Sequence, residues 1–261
     1  MKNLTPVVHS AKEQSCICQK DTSWKNGQML LGLETISWGR IPANIEEIVN
    51  LASRLGFRGL EFAQLPCILG SVEDLCDLLK SRNLVPIGIA CGASAQIVEY
   101  ARKLNVEYIC ITEWNEDVVK AAFDSGIRVG IHPHLYKDIE TMADAEVYLN
   151  RYPKLEIVFD TAHLYLAGED IVKCFETYQN RIISVHLKDW SRKFGRSPYH
   201  FARGFTSLGK GHLEDELNRL LEKARDTKFP GWFIVEEDSP SSAPANCIET
   251  SCKWLQNHVS Y

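Results

Sequence analysis

Several features that would signal a membrane, redox or dinucleotide-binding protein are missing from this sequence. No stretch approaches the roughly 20 consecutive apolar residues of a membrane span, so we expect no membrane partner. The 9 cysteines form no C-x-x-C pair of the kind that binds zinc or carries a dithiol redox centre. No G-x-G-x-x-G follows a predicted strand, which removes the usual sign of a dinucleotide site.

An excess of basic residues is also missing. Lys and Arg together number 29 against 34 acidic residues, which gives a formal charge of −5. Because proteins that grip nucleic-acid phosphates usually carry a basic face, we expect no nucleic-acid partner. The start of the chain has no apolar run of signal-peptide length, and the scattered, odd-numbered cysteines suit a reducing compartment. These features predict a cytoplasmic protein.

Short apolar runs rich in β-branched residues alternate with longer segments of helical period from residue 29 onward. The predicted strands cover residues 30–36, 58–62, 84–90, 107–112, 127–132, 155–159, 181–187 and 232–236. The predicted helices cover residues 44–55, 71–82, 93–104, 115–124, 138–150, 169–178, 212–226 and 243–258. A length of 261 residues is close to the roughly 250 of one eightfold barrel. We therefore predict an α/β protein with a single (β/α)8 TIM barrel over residues 29–261, and a doubly wound open sheet is the alternative.

Two segments fall outside this regular pattern. Residues 1–28 are polar and are expected to form a short, poorly ordered N-terminal extension. About two dozen residues, 189–212, separate the seventh predicted strand from the next helix, which is long for such a connection. This segment carries five basic side chains, namely Arg192, Lys193, Arg196, Arg203 and Lys210. A loop that binds an anionic or phosphorylated substrate and a merely solvated loop both fit this composition.

Polar and ionisable residues collect where the predicted strands end, which is where the working residues of such barrels lie. They are Trp38, Glu61, Glu113, His132, His134, Asp160, His163, His186, Lys188, Asp189 and Glu236. Imidazoles and carboxylates that converge on one mouth are the ligands that a divalent metal needs. Buried acids grouped there without a cation would cost several kcal/mol or become protonated. The pattern predicts one divalent metal ion, with Mn²⁺, Co²⁺, Zn²⁺, Fe²⁺ and Mg²⁺ all open.

Three of these strand ends carry motifs of a known family. The segments FDTAH at 159–163, VHLKD at 185–189 and GWFIVEED at 231–238 resemble the xylose-isomerase-like TIM-barrel superfamily of sugar isomerases and epimerases. SLGKGHLE at 207–214 resembles the glycine-containing turn that follows its seventh strand, and the likeness covers roughly residues 30–258. The resemblance implies that Asp160, His186 and Glu236 are metal ligands.

The fifth strand departs from the family pattern. Its usual fourth ligand is a glutamate, and this sequence has His132 there, within His132-Pro133-His134. In the family's epimerases, the glutamates of the fifth and eighth strands are both ligands and the two bases that face the substrate. A histidine can bind the metal or act as a base, since its unperturbed pKa is near neutrality. The H-P-H pattern also resembles the H-x-H of inosose-dehydratase-like members, which favours dehydration.

The resemblance also suggests a role for each remaining residue. His132, His134 and Glu236 are the candidate bases, and Lys188 would bind a substrate oxygen, stabilise an enediolate or form a salt bridge. His163 would orient a metal ligand, Glu61 would face substrate hydroxyls or hydrogen-bond a loop, and Trp38 would stack on a sugar or pack in the core. The other residues expected to contact the substrate or support the ligands are Glu113, Asp189 and Arg203.

The first function hypothesis is a metal-dependent sugar or sugar phosphate isomerase or epimerase. Its chemistry would be proton abstraction next to a carbonyl, with a metal-stabilised enediolate. A metal-dependent dehydratase of a keto-cyclitol is the alternative, and a non-catalytic sugar-binding barrel is a lesser one. An abasic-site endonuclease is disfavoured, because the second and third strands lack the histidines expected of its metal cluster. The expected partner is a small sugar, sugar phosphate or cyclitol, and a homo-oligomer remains open.

Overall fold

The barrel strands predicted from the sequence are all present in the computed structural model, which describes residues 29–258 except 43, 91 and 93. The predicted N-terminal extension, residues 1–28, lies outside the described residues. The eight barrel strands are β1 (Leu30–Glu34), β2 (Gly59–Phe62), β3 (Val85–Ile89), β4 (Tyr108–Ile111), β5 (Arg128–Ile131), β6 (Glu156–Asp160), β7 (Ile182–Leu187) and β10 (Trp232–Val235). Every strand ends within two residues of its predicted bounds.

These strands close into a parallel barrel in the order β1-β10-β7-β6-β5-β4-β3-β2. Closure is set by β1, which pairs with β2 on one side and β10 on the other; Leu30 lies beside Trp232 and Gly32 beside Gly59. An open sheet is therefore excluded, and the protein is a (β/α)8 TIM barrel. All eight carboxyl ends open onto one mouth, which is where such barrels carry their sites.

Helices cover the outside of the barrel. They are α1 (Ile45–Arg54), α2 (Val72–Ser81), α3 (Ala95–Leu104), α4 (Glu116–Asp124), α5 (Met142–Arg151), α6 (Thr161–Leu166), α7 (Ile171–Tyr178), α8 (Glu214–Asp226) and α9 (Pro244–His258). Several begin at a side chain that accepts a backbone N–H, as Asn44 does for α1 and Thr141 for α5. No helix in the described part of the chain is long and apolar enough to cross a membrane.

The interior of the barrel is a small apolar plug below the mouth. It is formed by Ile87, Tyr108, Cys110, Val158, Ile183, Trp232 and Ile234. A larger apolar layer lies between the strands and the helices. The plug closes the amino end of the barrel, so the polar side chains that follow it along the strands are gathered into the mouth.

The long segment after β7 is partly folded. Its ends form a short antiparallel ribbon, β8 (Asp189–Trp190) with β9 (Phe205–Thr206), which the sequence pattern did not predict. The Asp189 carboxylate accepts N–H groups from Trp190, Gly209, Gly211 and Leu213 at 2.7–3.0 Å. A Cβ at Gly211 would lie 2.1 Å from Asp189 Oδ1, so the glycine is needed for this close approach. Asp189 therefore holds the turn and does not face the mouth, which corrects its expected contact with substrate.

We expect replacement of Asp189 by alanine to lower the free energy of unfolding by about 2–4 kcal/mol, because two buried and two partly buried N–H groups lose a charged acceptor. Denaturant unfolding followed by circular dichroism would measure this. Glu113→Ala is the matched control: its exposed carboxylate pairs with Lys137 at 2.7 Å, and a solvent-exposed ion pair contributes little to stability. Equal stability of the two variants would contradict the structural role of Asp189.

Candidate metal and catalytic site at the barrel mouth

Four neighbouring strands bring the expected metal ligands together. Asp160 ends β6, His186 lies in β7 beside it in register, and Glu236 directly follows β10. His132 directly follows β5. All four side chains are buried, with 6% exposure or less. Parallel strands that end at one rim thus place two imidazoles and two carboxylates at the same depth in the mouth.

The possible ligand atoms form two groups. One group is His132, Asp160 and His163, and the other is Glu34, His186 and Glu236; within each, the ligand atoms lie within 4.8 Å of one another. Glu34, at the end of β1, was missed by the sequence analysis because it was counted within an apolar strand. The only available signal was an acidic residue inside that strand.

The donor atoms of these groups fit a divalent metal. His132 Nε2 lies 3.3 Å from Asp160 Oδ2, and His186 Nδ1 lies 2.6 Å from Glu236 Oε2. None of these four buried atoms makes a hydrogen bond within the described residues, although Asp160 Oδ2 also lies 3.2 Å from Lys188 Nζ. Buried polar atoms without a hydrogen bond are costly, and a cation bound at either group would satisfy its atoms. Mixed imidazole and carboxylate donors suit Mn²⁺, Fe²⁺, Co²⁺ or Zn²⁺.

Electrostatics keeps the carboxylates in the form that binds metal. Burial alone would raise the pKa of Asp160, but the neighbouring Lys188 ammonium outweighs it and lowers that pKa. The pKa of Glu236 is likewise lowered well below its usual value, because Lys188 and His186 outweigh burial. Both carboxylates are therefore ionised at neutral pH.

Lys188 lies between these carboxylates. Its Nζ is 3.2 Å from Asp160 Oδ2, 2.6 Å from Glu236 Oε1 and 2.9 Å from Asp238 Oδ2. Burial would lower the pKa of Lys188, but the acids, Asp160 first, raise it well above its usual value. The side chain forms the salt bridge that the sequence analysis left open, and its ammonium is a fixed positive charge at the mouth. Burial raises the pKa of neighbouring Asp238 to about 7, aided by Glu236 and opposed by Lys188.

The other side of the mouth holds an accessible neutral imidazole. His134 is half-buried, and its Nδ1 lies 2.9 Å from the Leu135 carbonyl oxygen, so Nδ1 carries the proton and Nε2 the lone pair. Burial, then His132 and Lys188, lower the pKa of His134 to about 4. Its ring lies 3.7 Å from that of His163, centroid to centroid. His134 therefore has the protonation state of a general base at neutral pH.

Glu61 of β2 lies inside the barrel. It is fully buried, the Tyr108 hydroxyl donates a hydrogen bond to its Oε2, and His186 Nε2 lies 3.2 Å from both its oxygens. The expectation that Glu61 faces substrate hydroxyls is therefore wrong, because both its oxygens are occupied from inside the barrel.

His163 is held in place by contacts with neighbouring rings and by one backbone hydrogen bond. It is fully buried, its backbone N–H donates to Asp160 Oδ1 at 2.8 Å, and its ring packs on Phe205 at 5.3 Å. Burial lowers the pKa of His163 well below its usual value, so the ring is neutral. Its backbone thus helps to orient the Asp160 carboxylate, while its side chain borders the first group of ligand atoms.

Several other expected site residues lie away from the ligand atoms. Glu113 is exposed and pairs with Lys137, so the structure does not bring it into the mouth. Arg203 is exposed, with its guanidinium over the Phe194 ring at 5.8 Å. Trp38 is partly buried and packs against the core, which was one of its two expected roles. A strand-end position alone did not separate these side chains from the inward-pointing ones.

A closed parallel barrel with histidines and carboxylates at its carboxyl-end mouth defines a TIM-barrel protein with an enzyme-like site. The family model described as xylose isomerase-like TIM barrel matches residues 110–258. The chain belongs to this xylose isomerase-like TIM-barrel family.

Known proteins with similar sequences or folds carry several names. An inosose dehydratase of Lacticaseibacillus casei is 29% identical over 143 residues, 51% of this chain and 47% of that protein. The chain thus spans about half the length of the curated relatives that it matches. A structure described as IOLI protein with a binding zinc atom aligns at TM-score 0.72 and 16% identity, over 89% of this chain and 100% of that one. A structure of L-ribulose 3-epimerase aligns at TM-score 0.70 and 13% identity, over 88% and 94%. Likeness at such identity shows the fold alone.

Proposed function

We propose that this protein is a divalent-metal-dependent dehydratase of a keto-cyclitol or a closely related keto-polyol. The observation that carries the proposal is the half-buried, neutral His134 beside the metal-ligand atoms. The strand-5 position holds His132 instead of the glutamate that the family's epimerases use as a base, which weakens a two-glutamate mechanism. The similarity to inosose dehydratases supports the same reaction and substrate class.

The proposed metal ligands are His132 Nε2, Asp160 Oδ2, His186 Nδ1 and Glu236 Oε2. A divalent metal bound there would polarise the substrate carbonyl and stabilise negative charge on its oxygen. Its identity stays open among Mn²⁺, Co²⁺, Zn²⁺, Fe²⁺ and Mg²⁺.

His134 Nε2 would remove the proton on the carbon next to the carbonyl. The C–O bond of the β-hydroxyl then breaks as a C=C bond forms, and the His134 imidazolium returns its proton to the departing hydroxyl. The products are an enone and one water, so atoms and charge balance. Lys188 would stay charged, since three carboxylates hold its proton, and its ammonium would stabilise negative charge that develops on the substrate.

The test is to incubate the Mn²⁺- or Co²⁺-loaded protein with inososes and keto-sugars in D₂O. We expect an inosose to lose water and to give an enone that absorbs in the near ultraviolet. Mass spectrometry of the product would measure the water loss. If no keto-cyclitol or keto-sugar either loses water or exchanges its α-proton, both this proposal and the next one are contradicted.

An isomerase or epimerase of a sugar or sugar phosphate is the second candidate. Two candidate bases support it: His134 follows β5 and Glu236 follows β10, and β6 and β7 lie between these two strands in the barrel order. Groups on separate strands could exchange a proton on two sides of a substrate. In the same D₂O experiment, this activity would incorporate deuterium and change stereochemistry without losing water.

A further inference from the structure

The segment between β8 and β9 packs against the loop that follows β5. The Tyr136 hydroxyl donates a hydrogen bond to the backbone carbonyl oxygen of Arg196. The Tyr136 ring also meets the Phe201 ring edge to face, with 5.4 Å between the centroids. One side chain of the β5 loop therefore contacts this segment, residues 191–204, at two points.

The backbone at Tyr136 is strained. Its φ is +64°, a left-handed value at which the Cβ of any residue except glycine crowds the following carbonyl oxygen. Backbone hydrogen bonds close the turn around it: the His134 N–H donates to the Ile139 carbonyl oxygen at 2.8 Å, and the Lys137 N–H donates to the His134 carbonyl oxygen at 3.0 Å. Such strain persists only where the surrounding contacts fix it. The turn thus holds the Tyr136 side chain against the 191–204 segment.

The 191–204 segment is also fixed by β8. The indole N–H of buried Trp190 donates to the Phe201 carbonyl oxygen at 2.9 Å, and the Ser191 N–H donates to the Gly204 carbonyl oxygen at 2.7 Å. A Cβ at Gly204 would lie 2.2 Å from Trp190 Nε1, so only glycine allows the indole to approach this closely. Phe201 is therefore held through its backbone by β8 and through its ring by Tyr136.

Phe201 also contacts the histidines of the mouth. Its ring centroid lies 6.1 Å from that of His163, and the His163 ring lies 3.7 Å from that of His134. Tyr136 follows His134 by two residues, so these contacts form a closed circuit of four rings. A shift of the Tyr136 side chain would therefore reach His134 through Phe201 and His163 as well as along the chain.

We propose that Tyr136 is a positioning residue that holds the 191–204 segment beside the mouth and, through Phe201 and His163, fixes the ring of His134. Placement of a base matters because a displacement of about 1 Å can lower a rate by about 10²-fold. The catalytic part of this inference rests on the proposed function, which takes His134 as the base. The contacts themselves belong to the folded chain and can be measured without metal or substrate.

Two replacements of Tyr136 test this role in the full chain. Tyr136→Phe removes only the hydroxyl, whereas Tyr136→Gly removes the whole side chain and relieves the backbone strain, so the turn itself is retained. Hydrogen exchange of residues 192–204, measured by mass spectrometry, should become about 2–10-fold faster in Tyr136→Phe, which is the effect of one lost hydrogen bond, and faster still in Tyr136→Gly. Residues 205–213, whose N–H groups Asp189 holds, should exchange at the wild-type rate.

The position of the His134 ring is measured separately. Nuclear Overhauser effects between the ring protons of His134 and His163 should be present in the wild-type protein and weaken in Tyr136→Gly. On a substrate that the protein converts, kcat should fall about 10–100-fold in Tyr136→Gly and less in Tyr136→Phe, with KM changed less than kcat. Tyr199→Phe is the matched control: it loses the same hydroxyl from within the 191–204 segment, but this side chain is 88% exposed. It should leave the exchange rates, the ring contacts and kcat unchanged.

Each outcome bears on one proposal. Wild-type exchange rates, an unchanged His134–His163 contact or an unchanged kcat in folded Tyr136→Gly would overturn the positioning role. If the wild-type protein converts no keto-cyclitol or keto-sugar, the proposed function fails. In that case faster exchange and a weakened His134–His163 contact in Tyr136→Gly still support the role of Tyr136 in positioning the His134 ring. Circular dichroism would verify that each variant is folded.

Discussion

Replacing His186 and Glu236 together by alanine is expected to abolish metal binding. Each contributes one buried atom of the proposed site, and the two atoms lie 2.6 Å apart. Of the four proposed ligands, the loss of one imidazole and one carboxylate leaves His132 and Asp160, which is too few for a stable site. Mass spectrometry should find about one Mn, Fe, Co or Zn per wild-type chain and almost none in the variant.

The control for this experiment is His258→Ala. That histidine stacks on Trp254 in α9, and its ring takes no part in the ligand groups. It should retain the wild-type metal content. Equal metal content in the double variant and the wild type would show that the metal binds elsewhere in the protein. A lack of metal in both, even after soaking with Mn²⁺, would refute the mechanism and favour a non-catalytic barrel.

His134→Asn should lower kcat by about 10²–10⁴-fold, the usual contribution of a general base. The asparagine cannot accept and return the proton, but it leaves His132, Asp160, His186 and Glu236 in place. We therefore expect the metal content to stay at the wild-type level. Steady-state kinetics on the substrate found in the D₂O experiment, with metal analysis of the same sample, would measure both.

His200→Asn is the matched control for the base. His200 is exposed and its Nδ1 lies 3.1 Å from Ser197 Oγ, in the segment between β8 and β9. Its kcat should stay within about twofold of the wild type. An unimpaired His134→Asn would exclude His134 as the base and leave His132 as the remaining histidine candidate.

The sequence was sufficient to predict the barrel because each strand and helix has its own local hydrophobic pattern. A buried parallel strand is a short apolar run, and the helices that cover it show a clear period, so all eight barrel strands were predicted. What it could not predict were features that depend on contacts between distant segments. One is the ribbon of Asp189–Trp190 with Phe205–Thr206, and another is the turn in which the Asp189 carboxylate accepts four backbone N–H groups.

The site was predictable in outline for a similar reason. Parallel strands end at one rim, so Asp160, His186 and Glu236 could be grouped from their positions alone. Strand position does not say which way a side chain points, and Glu113 therefore entered the prediction although it is exposed. Tyr108 was missed because a tyrosine in an apolar strand has the pattern of a core residue, and its hydroxyl partner lies 47 residues away.

Asp160 has two tasks, and this affects how other chains with the same motif should be judged. Its Oδ1 caps α6 by accepting the His163 N–H, while Oδ2 faces the ligand atoms. A descendant that had lost its chemistry would still gain stability from this cap, typically about 1 kcal/mol. The aspartate alone is thus a poor marker of a working enzyme. His132 Nε2 and Glu236 Oε2 make no hydrogen bond among the described residues, so their retention is the better sign of activity.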